Sequence, residues 1–195
     1  MEEWAVSVND LKHFAYCEAI LLLTHRLGFR ETETEYMMYG KEVEKEEFLR
    51  QIVHKYKVKK IHRQPALVSR ELRLSGVPDA VLETASGELI PLEVKWSEPP
   101  PSSKVKRDHF IQLSAYAVLI ERTWLERKAS VKRGIVYYLR PTPRFFEVRI
   151  SAEDKAAVLR LLERAILVAT GKAEPRPRRT CRDCNYRSFC PFASD

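Results

Sequence analysis

Three of the four cysteines, Cys181, Cys184 and Cys190, crowd into the last fifteen residues of the sequence, while the fourth, Cys17, stands alone near its start. A C-x2-C-x5-C cluster supplies three soft ligands, one fewer than a closed zinc or iron-sulfur site takes. Cys17 by itself reads as a small buried hydrophobe inside a first helix, but with three thiols lacking a fourth it becomes the candidate. Any fold that unites them must pin the two ends of the sequence together. A disulfide framework suits short exported chains, and at 195 residues this one can stabilise itself by burial.

The chain is expected to form one domain, with residues 1–32 as an N-terminal helix, 33–171 as a core and 172–195 as a basic cysteine-rich tail. Hydrophobic residues make up 45% and charged residues 31%, with no apolar run long enough to span a membrane. The apolar stretch Ala19 to Leu23 is too short for an export signal and follows the acidic Glu2 and Glu3, so a cytoplasmic protein with no membrane partner is expected. Residues 1–50 carry six Lys or Arg against eleven Asp or Glu, and the remainder carry 28 against 16. That asymmetry favours a polyanionic partner. A thermophile's charge-rich surface would also fit, given two Asn and three Gln.

Ser7 can cap a helix through Leu11, Phe14, Ala15, Ala19, Leu22 and Leu23, and a second helix is predicted over Glu33 to Lys55, with Val43, Phe48, Leu49 and Ile52 as its apolar stripe. Three strands follow: Ala66 to Leu74, Asp79 to Thr84, and Leu89 to Val94 after a turn at Ser86-Gly87. Pro99 to Ser103 is a loop. A helix from Asp108 to about Arg127, a hairpin of Gly134 to Leu139 with Phe145 to Ile150, and a helix capped by Ser151 and closed by Gly171 complete a mixed α/β pattern.

Gly76-Val77-Pro78-Asp79 leads into one strand, and Glu93-Val94-Lys95 ends the next. Strand alternation puts Glu93 and Lys95 on one face. A two-residue turn would set Asp79 opposite Val94 and on the wrong face. A three-residue turn, Ala85-Ser86-Gly87 with a left-handed glycine, sets it opposite Glu93. Two carboxylates beside an ammonium suit magnesium or manganese and metal-activated water, with Lys95 orienting that water or stabilising an oxyanion. Each part alone has a plainer reading, a surface ion pair or an ordinary turn aspartate. Gln112 and Tyr116 share a helix face at i and i+4 and could hold a phosphate or a base edge, or simply line the core.

Gly-x-Pro-Asp, Glu-x-Lys and Gln-x-x-x-Tyr, in this order, resemble the motifs of RecB-type nucleases of the restriction-endonuclease-like superfamily. One N-terminal and three C-terminal cysteines resemble the iron-sulfur subset, and the small size resembles the stand-alone CRISPR-associated RecB-like exonucleases of spacer acquisition. The resemblance implies a central mixed sheet flanked by helices, with an iron-sulfur cluster on Cys17, Cys181, Cys184 and Cys190, four-iron rather than two-iron, joining the N-terminal helix to the tail. It implies a divalent cation on Asp79, Glu93 and the Val94 carbonyl, with Lys95 catalytic and Gln112 and Tyr116 in support. A further ligand is expected from an early helix, where relatives carry Gly-x-x-x-His. Here Gly40 is followed by Glu44, with His54 and His62 as alternatives; His13, His25 and His109 read as surface or core residues.

The implied activity is hydrolysis of phosphodiester bonds by a DNA exonuclease on single-stranded ends, with endonuclease action open, alongside other CRISPR adaptation proteins such as the integrase. The rivals are a repair end-trimming nuclease and a non-catalytic, metal-stapled DNA-binding subunit. Around the cluster, Lys172, Arg176, Arg178, Arg179, Arg182 and Arg187 offer cations to phosphates, and Tyr186 and Phe189 offer rings to bases or shield the cluster.

Overall fold

The computed structural model describes residues 6–29, 46–101, 105–124, 126, 130–179, 181–182 and 184–194. A short strand β1 (Val6–Ser7) leads into α1 (Val8–Tyr16), and α2 follows as an α-helical turn (Ala19–Leu21) that widens into a π-helical one (Leu22–Arg26). After α3 (Glu46–Tyr56) come β2 (Val58–Arg63), β3 (Leu67–Ser69), β4 (Leu74–Gly76), β5 (Ala80–Thr84) and β6 (Leu89–Lys95). The remainder is α4 (Arg107–Thr123), β7 (Arg133–Tyr138), β8 (Arg144–Arg149) and α5 (Ala152–Ala169), with a 3-10 turn at Arg187–Phe189 in the tail.

Five strands form the main sheet in the order β2-β5-β6-β7-β8, antiparallel except where β6 meets β7. That parallel pair is joined through α4, because parallel neighbours need a crossover that a tight turn cannot provide. Side chains alternate across the sheet. Val81, Leu89, Val136 and Tyr138 face a core built with α1, α2, α4 and α5, whereas Ala80, Leu82, Ile90, Leu92, Ile135 and Tyr137 face Leu49 and Ile52 of α3. The mixed sheet between helices matches the expected α/β architecture.

Both predicted caps form. Ser7 accepts from the Asp10 N–H while Asp10 accepts from the Ser7 N–H, and Ser151 and Asp154 repeat the arrangement at α5. Three expectations need correction. Cys17 does not lie inside a helix: its backbone is extended (φ −159, ψ 122) and breaks α1 from α2. The apolar period runs unbroken across the gap, so the pattern gave no sign of it. The single strand expected over Ala66 to Leu74 is two, β3 and β4, because the Ser69 hydroxyl takes the Leu72 N–H and Arg73 turns left-handed at φ 53. β2 was not anticipated, since Val58–Arg63 is an edge strand rich in Lys and Arg and without alternation. The expected residues 33–45 of the second helix lie outside the described residues.

A second, three-stranded sheet pairs β1 in parallel with β4, and β4 with β3. It brings Val8 of α1 against Gly76, the last residue of β4. A Cβ at Gly76 would stand 2.8 Å from Val8 Cγ2 and 2.9 Å from Tyr116 Cε1. Glycine is required here by contact rather than by its dihedrals. Gly76→Ala should cost about 1–3 kcal/mol of stability through overpacking, measurable by urea denaturation, and should displace Tyr116.

Candidate active site

The β5–β6 register pairs Ala80 with Leu92 and Leu82 with Ile90. Ala85-Ser86-Gly87 forms the connecting turn, with Gly87 left-handed at φ 83 and its N–H on the Thr84 carbonyl. This is the three-residue turn, so Asp79 falls opposite Glu93. Beyond the last backbone pair the ladder is continued by carboxylates. Asp79 Oδ2 accepts from the Val94 N–H at 2.8 Å, and Glu93 Oε1 accepts from the Asp79 N–H at 3.3 Å. The two side chains are fixed reciprocally by the opposite strand's backbone.

Lys95 Nζ donates to Glu93 Oε2 at 2.6 Å. Glu93 is buried, and that burial, partly offset by Lys95 and reinforced by the Asp79 charge, pushes its carboxyl above the usual range. On α4, Tyr116 Oη donates to the Val77 carbonyl at 3.1 Å, tying the helix to the Gly76-Asp79 turn. Burial first, then the nearby Glu93 charge, pushes the phenol up, so Tyr116 stays a neutral donor. Gln112 hydrogen-bonds the same phenol, and its Oε1 is buried without a hydrogen-bond partner. Asp79, Glu93, Lys95, Gln112 and Tyr116 therefore share one face of the sheet.

Two neighbours were not singled out from sequence. His109 is buried, with Nδ1 2.9 Å from Tyr138 Oη, which also accepts the Lys106 N–H at 3.0 Å. Burial, then the charges of Lys95, Lys12 and Lys106, lowers its pKa to about 2, so it is neutral. Of the two readings the sequence left open for it, surface or core, burial decides for core; it lies three and seven residues before Gln112 and Tyr116, a helical spacing that could have flagged its place beside the site. Ser97, two residues past Lys95, has a buried hydroxyl with no hydrogen-bond partner.

Of the candidate further ligands, Glu44 lies outside the described residues. His54 is exposed on α3, the helix against the opposite sheet face. His62 lies opposite Val81 in the β2–β5 register, two residues along β5 from Asp79, and its Nε2 is 3.0 Å from Glu83 Oε2. Among the described residues no three His, Cys, Asp or Glu side chains form the ligand set of a metal ion. The donors present nonetheless fit a hard cation. Two carboxylates are locked side by side, one carries a charge that burial disfavours, and the Gln112 acceptor beside them is unsatisfied.

At the other end of α1, the four cysteines are free thiols, two of them buried. Cys184's thiol is pushed up by burial first and then by the nearby Cys17, Cys181 and Cys190. Each cysteine carbonyl accepts an N–H from three residues on: Ile20 to Cys17, Cys184 to Cys181, Arg187 to Cys184, and Ala193 to Cys190. The tail is tied down beside Cys17. Glu18 accepts from Arg164 Nη2 at 2.9 Å and from the Arg176 N–H at 3.0 Å, and the Arg178 N–H reaches Cys17 Sγ at 3.5 Å. A soft four-thiol donor set brought from both ends fits an iron-sulfur cluster chemically.

A mixed sheet with opposed Asp and Glu, a strand lysine two residues past the glutamate, and helices on both faces defines a restriction-endonuclease-like nuclease. Residues 25–191 match the PD-(D/E)XK nuclease superfamily, and the chain belongs to it. Enzymes of this class hydrolyse phosphodiester bonds with divalent cations, and this chain is such a nuclease. The CRISPR-associated exonuclease Cas4 of Aeropyrum pernix is 27% identical over 189 residues, spanning 94% of this chain and 93% of its own. Among solved structures, SSO0001 superposes with a TM-score of 0.57 at 18% identity over 100% of this chain and 89% of its own. The alkaline exonuclease LHK-Exo from Laribacter hongkongensis does so with 0.55 at 13% identity, over 86% and 88%. The resemblance drawn from the motifs is borne out.

Binding of a cation at this site should stabilise the fold by mass action, about 2.7 kcal/mol at a hundredfold excess over Kd. Manganese should therefore raise the melting temperature of the wild-type protein relative to chelator, and this shift should vanish in Asp79→Ala.

Proposed function

We propose that this protein is a divalent-metal-dependent DNA exonuclease acting on single-stranded ends during CRISPR spacer acquisition. The observation that carries the reading is the reciprocal Asp79–Glu93 lock with Lys95 at 2.6 Å from Glu93. The Cas4 relative, matched over nearly the full length of both chains, supports the CRISPR setting; DNA and the integrase of spacer acquisition are the partners this reading assigns. Among the described residues, no helix is long and apolar enough to cross a membrane.

Asp79, Glu93 and the Val94 carbonyl would hold magnesium or manganese, joined by Glu44. Bound there, the cation would lower the pKa of a coordinated water and offset charge on the scissile phosphate. Lys95 holds its ammonium beside Glu93, placed to orient the attacking water and to meet charge developing on a phosphate oxygen. Tyr116, kept neutral, fixes the turn that carries Asp79, and Gln112 presents an unsatisfied acceptor toward the same space. Cys17, Cys181, Cys184 and Cys190 would hold a four-iron cluster, which would fasten the basic tail to α1 and α2 as one wall of the DNA path.

With 5′- and 3′-labelled single strands, cutting should require manganese or magnesium and stop with chelator. Asp79→Ala and Lys95→Ala should each lower the rate on the order of a hundredfold to a thousandfold with unchanged far-UV circular dichroism. Binding without chelator-sensitive cutting would instead favour a non-catalytic DNA-binding subunit. A visible absorption band should accompany the purified protein, and Cys17→Ala should lose the band and melt earlier while a residual cutting activity persists below its melting point.

A further inference from the structure

β8 is an outer strand of the main sheet, and the Ile150 N–H at its end donates to the Lys132 carbonyl that precedes β7. Backbone groups alternate in direction along an antiparallel strand, so the N–H and C=O of Phe145, Glu147 and Arg149 point away from β7. Among the described residues no hydrogen bond takes them up. At the Arg149 end lies a cavity of about 390 Å³, lined by Lys132, Arg133, Glu147, Arg149, Ile150 and Ser151. Strand alternation sets Arg133, Glu147 and Arg149 on the α3 face with Ile135 and Tyr137, so the sheet separates the cavity from Asp79 and Glu93.

The charges of this lining are unequally satisfied. Arg133 Nε donates to Glu88 at 2.8 Å and Nη1 to Glu147 at 3.3 Å, and Glu147 also accepts from Tyr56 Oη at 2.7 Å. Lys132 and Arg149 are exposed and have no ion-pair partner among the described residues. Arg149 stands directly opposite Arg133, and like charges facing across a ladder repel, so this corner favours an anion. A DNA backbone brings acceptors only and leaves the outward carbonyls unmet, whereas an extended peptide brings donors and acceptors in alternation. A second copy of β8 is a poor match. Its full-length antiparallel register sets Arg144 against Arg149 at both ends, and registers that oppose Glu147 to an arginine pair at most four residues of each strand.

We propose that the β8 edge is a docking site for an acidic, extended segment of a partner protein, which adds as a further strand and sets a carboxylate beside Arg149 and Lys132. Glu147 demands an uncharged residue opposite it, and Arg144 welcomes a second acid at the far end. Read antiparallel to Arg144–Arg149, the complementary sequence is Glu-Val-Thr-Val-Val-Glu.

The test measures anisotropy of this fluorescein-labelled hexapeptide with the full-length protein. Lys-Val-Thr-Val-Val-Lys, and the first peptide N-methylated at its threonine, report on charge and on backbone pairing without altering the protein. Both are expected to bind about tenfold more weakly, as is the acidic peptide to Arg149→Glu. Lys59→Glu, on the opposite edge strand β2, should leave affinity within about a factor of two. Bound peptide should slow hydrogen exchange at the outward N–H groups of Phe145, Glu147 and Arg149. The proposal is overturned if the acidic peptide does not bind at roughly millimolar concentration, if either altered peptide binds as well, or if Arg149→Glu binds it like wild type. It is equally overturned if Arg149→Glu instead weakens duplex DNA binding alone, or dissolves a dimer seen by sedimentation, outcomes that assign the edge to nucleic acid or to a second copy. None of these measurements reads cutting, so their failure leaves the nuclease reading intact.

Discussion

The continuation of the β5–β6 ladder by side chains is the constraint on which the site depends. Where backbone pairing would go on, Asp79 and Glu93 each take an N–H from the other strand. The bonds satisfy strand-end donors and at the same time hold two like charges together, which neither carboxylate would choose in water. The three-residue turn at Ala85-Ser86-Gly87 is therefore as much a determinant of the candidate site as the acids themselves. A turn one residue shorter would direct Asp79 to the opposite face.

Support for that pair is layered outward from it. Tyr116 ties α4 to the Val77 carbonyl, Gly76 admits Tyr116 and Val8 at close range, and β1 holds Val8 there through the small parallel pairing with β4. The N-terminal strand and helix thus brace the turn that carries Asp79 from behind. On the far side Tyr138 takes the Lys106 N–H and meets His109, which fixes the start of α4 against β7, alongside Lys95.

How much of this was legible beforehand varied with the kind of signal. Period-two alternation and turn residues located β5, β6 and the β7–β8 hairpin, and side-chain capping located both Ser-headed helices. The elements that escaped are set by contacts the sequence does not advertise. The break at Cys17 depends on the tail docking at Glu18 through Arg164 and Arg176, more than 140 residues away. β2 is an edge strand whose partner, rather than its pattern, makes it a strand. His109 was visible as a core residue, but its nearness to Lys95 follows from the α4 crossover and only the assembled sheet reveals it.

The repeated turn at each cysteine has a consequence for how the molecule comes into being. Cys17 precedes the strands of the main sheet in the chain, and Cys190 follows them. The turns at Cys181, Cys184 and Cys190 can form locally, as can that at Cys17, so each thiol stands on a turn of its own. The complete four-thiol set exists only once translation has passed Cys190 and the sheet between has closed. Were the four thiols to hold the proposed cluster, its binding would depend on the intervening nuclease core being already assembled.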